Sequence, residues 1–182
     1  MKPLASLIAI CAPTLPVAVQ GEVAQSDASG FVVHGEADVE TSPAETWAML
    51  VQPSLYWSDS HSWSGDVSNM SLSAVTGGCF CETIPGGELR PAGSVEHMRV
   101  VMAAPYRQLT MRGSLGPLQA EALTGTLTVQ LEDYYGGTRI TWDYVVGGYA
   151  RFDLTEIAPV VDGVIAEQMN ALADRLGRVR EE

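Results

Sequence analysis

The chain has 182 residues, with 10 Lys plus Arg against 22 Asp plus Glu, a formal net charge of -12, and 46% hydrophobic but only 18% charged residues. A chain of this size makes one domain, and its apolar content can offset the entropy of ordering, which excludes an intrinsically disordered protein. Lys2 is the one lysine and the arginines are scattered from Arg90 to Arg180, so no basic stripe exists to neutralise phosphates and nucleic acid is excluded as a partner.

At the N-terminus Lys2 precedes the apolar run Leu4–Ala12, which is too short to span a hydrocarbon core of about 30 Å. The run reads as the apolar region of a signal peptide, with small residues for cleavage at Val19-Gln20-Gly21 or Ser26-Asp27-Ala28. Export to a periplasmic or extracellular location is therefore expected, with no transmembrane segment in the mature chain. A lipid anchor on Cys11 is not expected, because Ile8-Ala9-Ile10 puts a bulky residue where a small one is wanted. Gly21–Gly30 shows no periodicity and reads as a polar linker, so residues 1–28 are assigned to leader and linker and residues 31–178 to the folded domain.

Phe31–Glu40 alternates as a strand, with Val33, Gly35, Ala37 and Val39 on one face. Ser42-Pro43-Ala44-Glu45 then gives a helix start, with Ser42 as N-cap, Pro43 in the first helical position and Glu45 closing a capping box. Trp47, Leu50 and Val51 form the apolar stripe of that helix, which must stop near Gln52 ahead of Pro53. Leu55–Trp63 mixes aromatics and serines and reads as a short second helix or an ordered loop. Strand signals follow at Asp66–Val75, Cys79–Ile84, Ser94–Met102 and Gln108–Gly113, separated by glycine and proline turns. Ala122–Glu132 and Thr138–Val146 flank Asp133-Tyr134-Tyr135-Gly136-Gly137 as the clearest hairpin, each arm apolar on one face only. From Thr155 to Arg178, Ile157, Val160, Val161, Val164, Ile165, Met169, Leu172 and Leu176 recur with a helical period, and Pro159 makes that helix start late or kink. The fold class is therefore α+β, an antiparallel sheet of about seven strands wrapped around a long C-terminal helix.

That element order, with Ser42-Pro43-Ala44-Glu45-Thr46-Trp47 opening the first helix and Leu154–Leu176 closing the chain, resembles the START-like or SRPBCC superfamily. The superfamily includes polyketide cyclase and dehydrase-like proteins and the activator of heat-shock ATPase group. The runs Gly77–Glu82, Gly93–Val101, Gly113–Gln119 and Gly147–Tyr149 look like an uncharacterised bacterial subgroup of it. The resemblance implies a helix-grip fold with an elongated apolar cavity between sheet and helix. It carries no catalytic set onto this chain and, because the scaffold hosts binders, transporters, cyclases and co-chaperones, it leaves the activity open.

Several residues are candidates for chemistry in such a cavity. Cys79 and Cys81, two apart on a strand, share a face and read as small thiols in a core or cavity wall; a metal half-site, a redox pair and a disulfide are the alternatives. Pairing between Cys79–Ile84 and Ser94–Met102 has two registers: Cys81 opposite Glu96 with Cys79 opposite Met98, or Cys81 opposite His97 with Glu82 opposite Glu96. His61, between Trp57 and Trp63, borders the expected cavity mouth, while Trp142 and Tyr144 lie on the covered face of a strand. The expected ligand contacts are thus Trp57, His61, Trp63, Cys79, Cys81, Glu96, Met98, Trp142 and Tyr144. No cofactor or metal is expected: the histidines lie on separate segments without ligand spacing. The leading expectation is an exported binder of a small hydrophobic or amphipathic molecule. The rival is a cyclase, dehydratase or hydrolase-like enzyme using Glu96, His97 or His61 as acid–base groups, and an interaction module like the heat-shock activators fits poorly with export.

Overall fold

A computed structural model describes residues 21–179, so the expected leader and Cys11 lie outside the described residues. The elements run β1 (Glu22–Asp27), β2 (Gly30–Val39), α1 (Pro43–Leu50), β3 (Met70–Leu72), β4 (Cys79–Ile84), β5 (Gly93–Ala104), β6 (Gln108–Gly113), β7 (Ala122–Tyr134), β8 (Gly137–Tyr149) and α2 (Leu154–Arg175). The strands form one antiparallel sheet of eight, in the order β1-β2-β8-β7-β6-β5-β4-β3. This is the α+β helix-grip arrangement, with a long C-terminal helix on one face of the sheet.

The strand faces follow the sequence alternation. Val33, Leu127, Val129, Ile140, Trp142 and Tyr144 are buried on the covered face, while Thr126, Thr128, Arg139 and Asp143 stand on the other. Tyr135 and Gly136 form a tight turn between β7 and β8, both with positive φ as a two-residue hairpin link requires. Ser42 caps α1 with the reciprocal Glu45 bond in place, and the helix stops at Leu50. A buried hydroxyl chain ties α1 to the hairpin: Thr46 Oγ1 bonds Thr138 Oγ1 at 3.3 Å, and Thr138 donates to the Thr41 carbonyl at 2.7 Å.

Helix α2 starts earlier than its apolar period suggests, capped by Asp153, and runs through Pro159. Pro159 stands in the second turn, where its missing N–H costs one helical bond. The helix packs on β1 and β2. Its far end is tied to the end of β2, where Glu40 N donates to the Gly177 carbonyl at 2.7 Å and Val179 N to that of Asp38 at 2.9 Å. Gly177 has φ of 78°, the left-handed conformation that ends helices.

Two segments differ from the sequence expectation. Residues 22–27 form an edge strand instead of a linker; they are mostly exposed on both faces, so no apolar alternation marks them. Residues 53–69 contain three short 3-10 turns, and only Met70–Leu72 of the expected Asp66–Val75 strand pairs in the sheet.

Gly35 faces Trp142 across the β2–β8 pair, and the indole occupies the space where a Cβ on residue 35 would stand. Gly35→Ala is expected to overpack this contact and to lower the unfolding free energy by about 1–3 kcal/mol, read as a lower urea midpoint at unchanged slope.

Candidate functional site

The end of α2 beyond Leu172 is bonded to the end of β2 and Asp162 lies against Gly21 beside β1, whereas the face that carries Ile157, Val161 and Val164 looks across a gap onto two loops. The gap is an open, mainly apolar cavity of about 270 Å³. Ile157, Val161 and Val164 of α2 form one wall, Trp57, His61 and Trp63 a second, and Leu115–Leu118 a third. At the rim Val160 and Trp63 keep 59% and 53% of their surface exposed, so an apolar margin surrounds the mouth.

Each wall is fastened by specific bonds. Gln168, fully buried on α2, accepts from Ser58 N at 2.8 Å and donates to the Val164 carbonyl at 3.1 Å, which pins the aromatic loop to the helix. His61 Nε2 bonds Glu167 at 3.0 Å, a second link between the same segments. Trp57 donates from Nε1 to the His61 carbonyl at 3.2 Å and packs edge-on against Phe80, with ring centroids 5.3 Å apart. On the facing wall the Tyr144 hydroxyl accepts from Leu115 N at 3.2 Å, and Gln119 donates to the Glu96 carbonyl at 2.8 Å. Behind Trp57 lies a void of only about 10 Å³ among Phe80, Leu109, Leu127 and Met169, room for no more than one water.

The polar feature of this cavity is a buried pair. Glu82 on β4 has a fully buried side chain and accepts from Trp63 N at 3.0 Å, from Ser64 N at 2.5 Å and from His97 Nε2 at 3.0 Å. His97 is 4% exposed and forms part of the cavity wall, stacked against Phe80 at 4.9 Å. Burial pushes the Glu82 carboxyl up, but the hydrogen bonds from Ser64, Trp63 and His97 outweigh it and hold it below the usual range. Burial also lowers the His97 imidazole, against the opposing pull of Glu82. At neutral pH the pair is thus an ionised carboxylate accepting from a neutral imidazole.

A β-bulge places His97 there. Phe80 pairs with Met98 and Cys81 with Glu96, so His97 is the extra residue of β5, and its side chain turns to the covered face beside that of Met98. The register is therefore a composite of the two expected ones: Cys81 opposes Glu96, but Cys79 opposes Arg99 instead of Met98.

Of the expected contacts, Trp57, His61 and Trp63 stand in the cavity wall. Met98, Trp142 and Tyr144 are fully buried core, with no part in that wall. Cys79, Cys81 and Glu96 are on the opposite face of the sheet, because Phe80 and Glu82 take the inward positions of β4. Cys79 and Cys81 are joined as a disulfide, correcting the expectation of two free thiols. The two Cα atoms are 5.3 Å apart, against about 6.6 Å for two residues of regular strand, and lie within disulfide range. Glu96, with Cys79 and Cys81, forms a close group of potential metal ligands, yet the sulfurs are bonded to each other and the carboxylate pairs with Arg99.

The Polyketide cyclase / dehydrase and lipid transport family matches residues 31–177. The chain belongs to this family. The match spans β2 through the end of α2, so both the grip and the cavity walls lie within the family domain. Solved structures share the fold at low identity. A Rhizobium leguminosarum protein is 15% identical with a TM-score of 0.55, over 83% of this chain and 99% of that one. A Rhodobacter sphaeroides protein is 17% identical with a TM-score of 0.53, over 86% and 97%. The Aha1 dimer of Colwellia psychrerythraea is 13% identical with a TM-score of 0.52, over 80% and 95%. No curated protein sequence matches the chain.

The lowered affinity of both groups for protons contributes to how this family member responds to acid. Below the ordinary histidine value of 6.5 the unfolded chain protonates His97 before the folded one does, and below 4.5 the same holds for Glu82. In both windows the unfolded state binds more protons, so stability falls with falling pH. Urea denaturation over a pH series is expected to show this decline, and His97→Gln is expected to flatten the part that begins near 6.5 while keeping the carboxylate part.

Proposed function

We propose that this family member binds a small hydrophobic or amphipathic molecule in the cavity between its aromatic loop, the Leu115–Leu118 segment and the start of α2. The observation that carries the reading is the cavity itself: about 270 Å³, open to solvent and walled mainly by aliphatic and aromatic side chains. Small-molecule sites of about 300–1,000 Å³ have the same character, apolar walls with a few placed polar groups. A volume just below that range suits a two-ring or short-chain molecule better than a long lipid. The loops that form the mouth are fastened to α2 through Gln168 and Glu167, so the site is built before a ligand arrives.

Export belongs to the same proposal. The apolar leader sequence supports it, and so does the Cys79–Cys81 disulfide, since such bonds persist in oxidising compartments.

An acid–base enzyme of the cyclase or dehydratase kind is the second reading, and His97 in the cavity wall is the observation that favours it. Neither of the other expected acid–base groups supports it: Glu96 faces the opposite side of the sheet, and His61 is engaged by Glu167.

Native mass spectrometry of gently purified protein is expected to show a bound small molecule. Val161→Trp, which fills the cavity from α2, is expected to lose that adduct and to bind an apolar fluorophore at least about tenfold more weakly at near-native stability. Equal binding by the parent and Val161→Trp would overturn the reading.

A further inference from the structure

We propose that the cavity selects an apolar molecule bearing an aromatic or enolic hydroxyl, which donates its hydrogen bond to Nδ1 of His97. The inference rests on the cavity-binding reading above and specifies the chemistry of its ligand.

Four polar side chains contribute to the cavity wall: Ser60, His61, Ser62 and His97. The first three belong to the loop at the mouth and are exposed or half-buried, whereas His97 is buried. The imidazole has little freedom to reorient. The bulge sets its backbone, Phe80 covers one ring face, and Glu82 holds Nε2.

The Glu82 carboxylate also decides which ring nitrogen carries the proton. It already accepts two backbone N–H groups and, when ionised, has nothing to donate, so Nε2 must be the protonated nitrogen of the neutral ring. Nδ1 is then a lone pair. No group among the described residues donates to it. Among the described residues the fully enclosed side-chain polar atoms without a partner are Trp142 Nε1 and Asp162 Oδ1; Nδ1 is not one of them, so a small donor reaches it from the cavity, and an apolar ligand that covers it without donating leaves it unpaired at a cost.

The same geometry rejects other head groups. An ether or ketone offers no proton to Nδ1, and a carboxylate brings a second negative charge toward Glu82 in a poorly screened site. The wall is therefore matched to a neutral hydroxyl on an apolar body, and mismatched to a short-chain carboxylic acid of similar volume.

Near-isosteric naphthalene probes test this on the full-length protein. The parent is expected to bind α-naphthol about tenfold more tightly than α-methylnaphthalene, and to bind α-naphthoate more weakly than either. Ring-nitrogen NMR is expected to show His97 as the Nε2–H tautomer, with the Nδ1 resonance moving when α-naphthol is added. His97→Leu is expected to retain α-methylnaphthalene and lose the preference for the hydroxyl. Trp63 N and His97 Nε2 share one carboxylate oxygen and Ser64 N takes the other, so Glu82→Gln must set its amide N–H against one of the two backbone amides and removes the ionised acceptor; it is expected to lower the Nε2–H fraction of His97 and raise that of Nδ1–H. The tautomer shift reads out the pair even if His97→Leu fails to fold. Equal affinity of the parent for α-naphthol and α-methylnaphthalene with an unmoved Nδ1 resonance overturns the inference and leaves the cavity reading intact. Binding of no probe by the parent removes both.

Discussion

A carboxylate with no exposed surface loses several kcal/mol of hydration free energy unless hydrogen bonds replace the water. In Glu82 they come from two directions: the amides of Trp63 and Ser64 in the aromatic loop, and the imidazole of His97 on the neighbouring strand. The loop that forms one cavity wall therefore depends on a side chain of the sheet. Its other attachments, Gln168 to Ser58 and Glu167 to His61, reach the helix. Sheet, loop and helix thus meet around one opening, and both sheet and helix satisfy polar groups through the loop between them. Apolar packing alone would not do this, since hydrophobic burial is non-directional and favours closing the gap.

The gap persists because α2 is fixed unevenly. Beyond Leu172 its end is bonded to the last residues of β2, while one face of its first turns meets two loops instead of strands. Those turns carry β-branched Ile157, Val160, Val161 and Val164, short stiff side chains that leave space where Leu or Phe would fill it. Deeper in, the void behind Trp57 is almost closed, so the core next to the mouth is packed. The high apolar fraction of the sequence divides accordingly: most of it fills the core, and a smaller part lines the opening.

Much of the fold was legible because its signals are local. The alternation of Leu127, Val129 and Leu131 against Thr126, Thr128 and Gln130 needs only a pleated strand with one covered face. The Ser42–Glu45 capping box likewise needs no tertiary contact to form. The site was less legible because it turns on one inserted residue. A bulge at His97 leaves both register templates partly true, and alternation read along β5 from Glu96 cannot show that His97 and Met98 are both buried. Glu82 was visible only as a possible partner of Glu96, since nothing in the chain announces that two loop amides nineteen and eighteen residues upstream will ionise it. Residues 22–27 escaped for the opposite reason: an edge strand exposed on both faces has no pattern to read.

The location of the cavity residues explains why the family fixes the fold more firmly than the ligand. Trp57, Trp63 and Leu115–Leu118 all come from connections between strands and helices, where side chains can change without disturbing the sheet ladder. The solved structures named above retain the scaffold at 13–17% identity, so the fold tolerates replacement of most side chains. His97 differs from the loop residues in being part of a strand, and its inward direction depends on the bulge as much as on its chemistry. Moving the polar group of the wall to another position would require changing the backbone of β5, whereas reshaping the apolar walls requires only side-chain substitutions in the loops and on one face of α2. On the proposed reading, polar recognition is therefore built into the sheet, and the fit to the ligand body is left to the loops and one face of α2.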